Sequence, residues 1–196
     1  MKRYIASLAV IACLLAVGAV AFIYSGLYDI GADAPHWPFV KTAVETLRER
    51  SIERHAKDIQ VPNLQAPDLV LKGAGQYAAM CVQCHLAPGK SKSEIRPGLY
   101  PPPPDLAKVR VDPREAFWAI KHGVKMSAMP AWGLSHDDAT IWSIVAFVNK
   151  LPDMSTQGYL DMVAKAPPDE EMESMDHTDH GPKSESGNKE TKRPNQ

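Results

Sequence analysis

The apolar positions of this 196-residue chain fall into stretches that have the length and spacing of helices. The first is an uncharged run from Tyr4 to Tyr24, and the second repeats apolar residues between Val40 and Ile59. Three further helices are predicted over 68–80, 112–123 and 137–151. Segments rich in proline and glycine separate these stretches, so the pattern predicts helices joined by irregular connections.

The run from Tyr4 to Tyr24 predicts a membrane-spanning helix. As a helix it is long enough to cross a hydrocarbon core about 30 Å thick. Lys2 and Arg3 precede it, and Asp29 follows it, so the positive-inside rule leaves the N-terminus in the cytoplasm and exports the rest. We therefore expect a single-pass protein of a bacterial inner membrane, with residues 1–28 as the anchor and the bulk of the chain in the periplasm.

Two other interpretations of this segment also export the chain. Ala19-Val20-Ala21 has the small residues of a signal-peptide cleavage site, but apolar residues continue through Tyr24 and the run exceeds an ordinary signal core. A lipoprotein site at Cys13 is disfavoured because too few apolar residues precede it and too many follow. The retained anchor is the preferred interpretation.

Candidate chemistry centres on the run from Cys81 to His85, in which two thiols three residues apart are followed at once by a histidine. This spacing attaches haem c: the sulfurs add across two vinyl groups of the porphyrin, and the imidazole lies under the iron. A structural zinc site would need a second pair of ligands at similar spacing, and a thioredoxin-like pair would need a βαβ context. The third cysteine, Cys13, is far upstream, so one covalent haem c is expected.

The segment 68–151 is expected to form the domain around this haem. Asp68 is placed to cap its first helix, and Gly73 within that helix would let another helix approach closely. Asp112 begins a later helix as an N-cap acceptor followed by a proline and an acid. Three aromatic residues of the last two helices are expected in the core: Trp118, Trp142 and Phe147.

A proline-rich stretch follows the haem motif and offers a partner to its histidine. Prolines lack an amide donor but keep the carbonyl acceptor. An iron-bound His85 needs an acceptor for its outer N–H, and a proline carbonyl wrapped around the haem suits that role. Pro97 and Pro104 are both candidates, and the sequence does not choose between them.

The sixth position of the iron has two main candidates, Met126 and Met129. Pro130 restricts Met129 to extended backbone and so holds its thioether in a defined direction. Met126 lies just after the preceding helix without that restriction, and we expect it to pack against the haem edge. Met129 is therefore the expected ligand, with Met154 and Met162 in reserve.

Together with the closing aromatic helix, the run Cys81–His85, the proline-rich stretch and Met129-Pro130-Ala131-Trp132-Gly133 resemble a class I, single-haem cytochrome c domain. The domain resembles the third-subunit type found in haem-copper oxidases, and the similarity covers roughly residues 68–151. It implies an all-α fold whose first and last helices cross beside the haem, with His85 and Met129 as axial ligands. The segment Leu86–Lys90 departs from the glycine-rich stretch that often follows the histidine.

The segments on either side of this domain carry weaker signals. In the connector, 29–67, Gly31, Pro35 and Pro38 end the membrane helix, and an amphipathic helix follows whose apolar side is expected to pack on the haem domain or a partner. The two histidines of the connector, His36 and His55, are expected at surface or cap positions. The extension 152–196 is acidic and is expected to be mostly disordered from Ala166 onward.

The extension also clusters thioethers with imidazoles, a donor set that suits copper. A solvated tail without metal is the competing interpretation. The candidate copper ligands are Met172, Met175, His177 and His180.

The expected function is electron transfer and not catalysis, because both axial positions of the iron would be filled. Basic residues of the haem domain would steer an acidic redox partner: Lys90, Lys92, Arg96, Lys121 and Lys125. The basic excess is small, so no nucleic-acid partner is expected. A fixed haem subunit of a membrane oxidoreductase complex and a copper-handling redox protein are the alternatives.

Overall fold

The computed structural model describes residues 1–167, and this part of the chain is helical and contains no strand. The all-α prediction is therefore confirmed. The helices, in chain order, are α1 (Lys2–Ser25), α2 (Pro38–Ala56), α3 (Pro67–Met80), α4 (Val82–His85), α5 (Pro113–His122), α6 (Asp138–Lys150) and α7 (Thr156–Lys165). The candidate copper ligands Met172, Met175, His177 and His180 lie outside the described residues.

Helix α1 buries none of its side chains. Its 24 residues give a length of about 36 Å at 1.5 Å per residue. By length and composition it is able to cross a membrane. It ends at Gly26, whose φ of 68° is the left-handed conformation that favours glycine.

The core of the predicted haem domain is the crossing of α3 and α6. A Cβ at Gly73 would overlap the carbonyl oxygen of Ser143 and lie 3.0 Å from Phe147 Cβ, so only glycine allows this approach. The rings of Tyr77 and Phe147 meet beside the crossing at 5.4 Å. The close helix approach expected at Gly73 is therefore present.

The start of α3 differs from the expectation. The helix begins at Pro67 and its N-cap is Ala66, two residues before the predicted cap Asp68, and Ala66 offers no side-chain acceptor. Asp68 lies in the first turn, where its charge still favours the positive end of the helix dipole. The proline explains the shift, since its fixed φ suits the first helical position.

Helix α5 begins as the sequence indicates. The side chain of Asp112 accepts a hydrogen bond from the amide of Arg114 at 2.8 Å. The Arg114 guanidinium also bonds this carboxylate and lowers the pKa of Asp112 to about 2. On α5, Phe117 stacks against Trp142 of α6 at 4.1 Å, which joins the two helices.

The aromatic residues expected in the core divide into two groups. Phe147 is fully buried, whereas Trp118 and Trp142 are half-buried at the edge of the core. Trp118 stacks instead against His55 of α2, with ring centroids 5.5 Å apart. The indole of Trp118 therefore packs against the connector helix α2.

Helix α2 packs against α5, and its best-buried residue lies at its C-terminal end. Ala56 near its end is buried, but Leu47 in its first half is 69% exposed, although the sequence pattern placed both on one packed side. Charged residues surround the helix, and its ion pairs, such as Lys41 with Glu45, lie at the surface. Phe39 and Leu47 of α2 are thus left uncovered by the described part of the chain.

The folded part extends beyond Leu151, where the sequence analysis ended the haem domain. Helix α7 packs on α3 and places Tyr159 in the core, 6.2 Å from the Phe147 ring. Met162 and Val163 follow Tyr159 at helical spacing and also contact the core. This short apolar pattern lies beyond Pro152. The sequence did not indicate its packing, because the proline was interpreted as the end of the last helix.

Candidate haem site

The motif Cys81–His85 lies on the short helix α4, directly after α3. The amide of Cys81 still bonds the Tyr77 carbonyl at 2.9 Å, so the two helices follow each other with little interruption. At the other end, the Arg96 guanidinium donates to the Cys84 carbonyl at 2.7 Å, and the Leu106 amide donates to the His85 carbonyl at 3.1 Å. Backbone bonds and the loop thus fix the motif at both ends.

The imidazole of His85 is oriented by a proline carbonyl, and the proline is Pro104. His85 Nδ1 lies 3.0 Å from the Pro104 oxygen. Because a carbonyl only accepts, Nδ1 carries the proton and Nε2 keeps its lone pair. Burial lowers the pKa of His85, which favours the neutral ring that binds metals. The ring is therefore prepared as a ligand through Nε2.

The two thiols of the motif are half-buried and do not form a disulfide. Burial, reinforced by the neighbouring Cys84, raises the pKa of Cys81 to about 12. In the part of the chain that the structure describes, no group of three or more His, Cys, Asp or Glu side chains is arranged to hold a metal ion.

The residue after the motif, Leu86, adopts a backbone conformation that sequence reasoning missed. Its φ of 62° with ψ of −172° is a region that glycine normally occupies. The strain is offset by burial of the side chain and by the Tyr77 hydroxyl, which donates to the Leu86 carbonyl at 2.7 Å. The absent glycine-rich stretch was the signal that this turn is built differently.

Met129 is held by hydrogen bonds on both sides of its backbone. Its amide donates to Ser127 Oγ at 3.2 Å, and its carbonyl accepts from the Val124 amide at 3.1 Å. The Ser127 hydroxyl donates in turn to the Val124 carbonyl at 2.7 Å. The Met129 side chain is half-buried and packs against the core, so its thioether is confined.

Gly123 at the end of α5 allows this loop to fold back. Its φ is 66°, and a Cβ there would lie 2.8 Å from the Met129 carbonyl oxygen and 2.7 Å from the Pro130 carbonyl carbon. Both values are shorter than real Cβ contacts. Gly123 is therefore a positioning residue for the Met129 loop, which the sequence analysis read only as a helix stop.

The competing methionine, Met126, lies in a different environment. Its side chain is 81% exposed and its φ is 56°, which is unusual for a residue other than glycine. Its side chain therefore does not pack into the protein core, and its contact with a haem edge stays a prediction. Met154 and Met162 contact the core near α7. Of the four candidates, Met129 combines partial burial with a fixed backbone.

Gly123→Ala is expected to loosen the Met129 loop while leaving the rest of the site intact. Overpacking and left-handed strain each cost about 1–3 kcal/mol. With haem attached, added imidazole would compete with Met129 for the iron. We expect imidazole to bind the ferric variant about tenfold more tightly than the ferric parent protein, equivalent to about 1.4 kcal/mol. Optical titration with imidazole measures the effect.

Gly98→Ala is the control for this variant, since a Cβ at Gly98 meets nothing within 4 Å. It should titrate as the parent protein does. An unchanged imidazole affinity in Gly123→Ala would show that the loop does not depend on this glycine.

The basic residues expected to steer a partner are partly engaged within the protein. Lys121 forms an ion pair with Asp138 at 2.6 Å, and Arg96 bonds the Cys84 carbonyl. Lys92 and Lys125 are exposed. Lys92 and Lys125 are thus the better candidates for contact with an acidic partner.

The residues of the site fit a covalently attached haem c. The thiols are three residues apart on one helical turn, His85 presents the lone pair of Nε2, and Met129 offers a confined thioether. Thiol, imidazole and thioether together are the donor set that such a haem uses.

Comparison with known families matched residues 68–148 to the family described as cytochrome C oxidase, cbb3-type, subunit III. The matched segment runs from the first turn of α3 into the last turn of α6 and includes the motif, Pro104 and the Met129 loop. The comparison with curated proteins gave no match, and the comparison with solved structures gave none either.

Proposed function

We propose that this chain transfers electrons through one haem c, because residues 68–148 match the family described as cytochrome C oxidase, cbb3-type, subunit III. Cys81 and Cys84 would hold the haem covalently, and His85 and Met129 would hold its iron. The observation that carries the proposal is the 3.0 Å hydrogen bond between His85 Nδ1 and the Pro104 carbonyl. It fixes the tautomer in which Nε2 is able to bind iron.

The residues around the haem determine how it would work. When bound, the haem supplies an iron that cycles between the ferric and ferrous states. The Pro104 carbonyl accepts a hydrogen bond from His85 Nδ1–H, which would make Nε2 a stronger ligand for the iron. The Met129 sulfur would favour the ferrous state and raise the potential. With His85 and Met129 both holding the iron, no position would be open to a substrate, and the chain would act as an electron carrier.

The family match and helix α1 together favour a chain that stays at the membrane over one that diffuses freely. The matching family is named as a subunit of an oxidase, and α1 is able to span a membrane by its length and composition. We propose that α1 stays in the inner membrane with the haem domain on the periplasmic side, delivering electrons within or to a membrane oxidoreductase complex. Lys92 and Lys125 would contact an acidic redox partner.

The haem assignment is tested on the purified full-length chain. We expect one haem per chain that remains bound in a denaturing gel and titrates as a single one-electron couple. A Cys81→Ser, Cys84→Ser double variant should lose the gel-stable haem. Haem that stays attached in the double variant, or more than one haem per chain, would contradict the proposal.

The anchor is tested by fractionation. The full chain should remain in the membrane fraction at 1 M salt, roughly where the Debye length falls to 3 Å, because insertion of apolar residues is not screened as charge pairing is. N-terminal sequencing of the mature protein should begin at the start of α1. Release by salt, or a mature N-terminus at Phe22, would refute membrane anchoring through α1.

A further inference from the structure

The connector does not lead away from the membrane helix but folds back against its end. The Trp37 ring lies 5.9 Å from the ring of Phe22, which belongs to the last turn of α1. Tyr28 contacts Trp37 edge-on at 5.1 Å, and Phe39 lies 5.9 Å from Trp37. We call these four residues, Phe22, Tyr28, Trp37 and Phe39, the aromatic collar.

The collar and its neighbours expose a large apolar area at one level of the molecule. Phe39 is 68% and Trp37 47% exposed, and the nearby Leu27 and Ile30 are 77% and 88% exposed. Exposing apolar surface to water is unfavourable in proportion to its area. Side chains of this size in one patch therefore indicate a surface that is covered in the native setting.

The position of the collar identifies what covers it. The length of α1, about 36 Å, exceeds the hydrocarbon core of about 30 Å, so its C-terminal turn reaches the lipid headgroups. Trp37 touches that turn and is held at the same level. Tryptophan and tyrosine are enriched at this depth because they combine an apolar ring with a polar group.

We propose that the aromatic collar is a lipid-binding surface that lies in the headgroup region of the outer leaflet. The proposal rests on the membrane anchoring of α1 proposed above. It adds that the connector, and not only α1, contacts lipid.

The collar is connected to the haem domain through His36, and this connection gives the surface a function. His36 Nδ1 lies 2.7 Å from the Tyr28 hydroxyl, and the His36 amide donates to the Tyr100 hydroxyl at 3.3 Å. The His36 and Tyr100 rings also meet edge-on at 5.0 Å. Tyr100 precedes the proline run whose Pro104 holds His85. The haem domain is thereby held beside the membrane, so its partner exchanges electrons at the membrane surface.

The test uses the full haem-loaded chain in lipid nanodiscs of phosphatidylcholine and phosphatidylglycerol. Nitroxide labels are placed at Phe39→Cys or Ile30→Cys in a Cys13→Ser background. The control label is Leu160→Cys on α7, where the native side chain is 52% exposed. Collision rates with oxygen, which concentrates in lipid, and with a water-soluble nickel chelate report the depth of each label.

We expect the labels at 39 and 30 to collide several-fold more with oxygen relative to nickel than the label at 160. Equal ratios at all three sites, in a chain that still withstands salt extraction, would refute the lipid contact while leaving the anchor in place. Labels at 39 and 30 shielded from both reagents would mean that protein covers the collar, which would also overturn the proposal. Extraction by salt would instead contradict the anchor itself.

Discussion

Replacing Met129 by alanine should leave the haem attached through both thioethers but abolish the sulfur-to-iron absorption band and lower the reduction potential. Alanine has no donor atom, and loss of a ligand that favours ferrous iron removes part of its stabilisation. The decrease should be a sizeable part of the roughly 0.8 V over which axial ligands set haem potentials. Optical spectra and a potentiometric titration of the full chain measure both effects.

Met126→Ala is the matched control, because Met126 lies three residues earlier with its side chain 81% exposed. We expect the band to persist and the potential to change only slightly. The opposite pattern, a band that survives in Met129→Ala and disappears in Met126→Ala, would make Met126 the ligand. That result would leave the electron-transfer function standing and correct its site.

The second large effect is expected from Gly73→Ala. Alanine gains about 1 kcal/mol of helix propensity over glycine. Its Cβ, however, would overlap the Ser143 carbonyl oxygen, and backbone cannot rotate away as a side chain does. We take about 3 kcal/mol, the upper end for overpacking, which leaves a net loss of about 2 kcal/mol. The thermal midpoint of the haem domain should fall by roughly 8–16 °C, at about 4–8 °C per kcal/mol.

Thermal unfolding of the haem domain, followed by near-ultraviolet circular dichroism of the full chain in detergent, measures this change. Gly98→Ala is again the control, since its Cβ would meet no neighbour. We expect its midpoint to stay close to that of the parent. A Gly73→Ala midpoint at or above the parent value would show that α3 and α6 do not cross as closely as described.

The parts of the fold that could be predicted from sequence are those set by local patterns. The apolar run of α1 and the cap at Asp112 each depend on residues close together in the chain, and both are present. Of the two expected partners for Leu47, the haem domain does not cover it, since 69% of the residue is exposed. Which part of a helix face is covered depends on the length and position of the neighbouring helix, and spacing along α2 does not contain that information.

The candidate site likewise combines features that local motifs predict with features that depend on distant parts of the chain. The thiol and histidine positions follow from a five-residue motif, but the choice of Pro104 over Pro97 depends on how a loop of more than ten residues closes. The roles of Leu86 and Gly123 were missed because each residue adopts a backbone conformation that depends on a contact with another part of the chain. For Leu86 that contact is the Tyr77 hydroxyl, and for Gly123 it is the backbone of the Met129 loop.

Helix α7 sets a practical boundary for anyone who wishes to isolate the haem domain. The helix touches both sides of the haem motif: Ala166 lies against Gly75 on α3, and Thr156 lies against Gly89 in the loop after His85. A recombinant fragment cut at Leu151 would uncover Phe147, against which Tyr159 packs, and would leave that loop unsupported. Fragments intended for crystallisation or labelling should therefore run at least to Pro167.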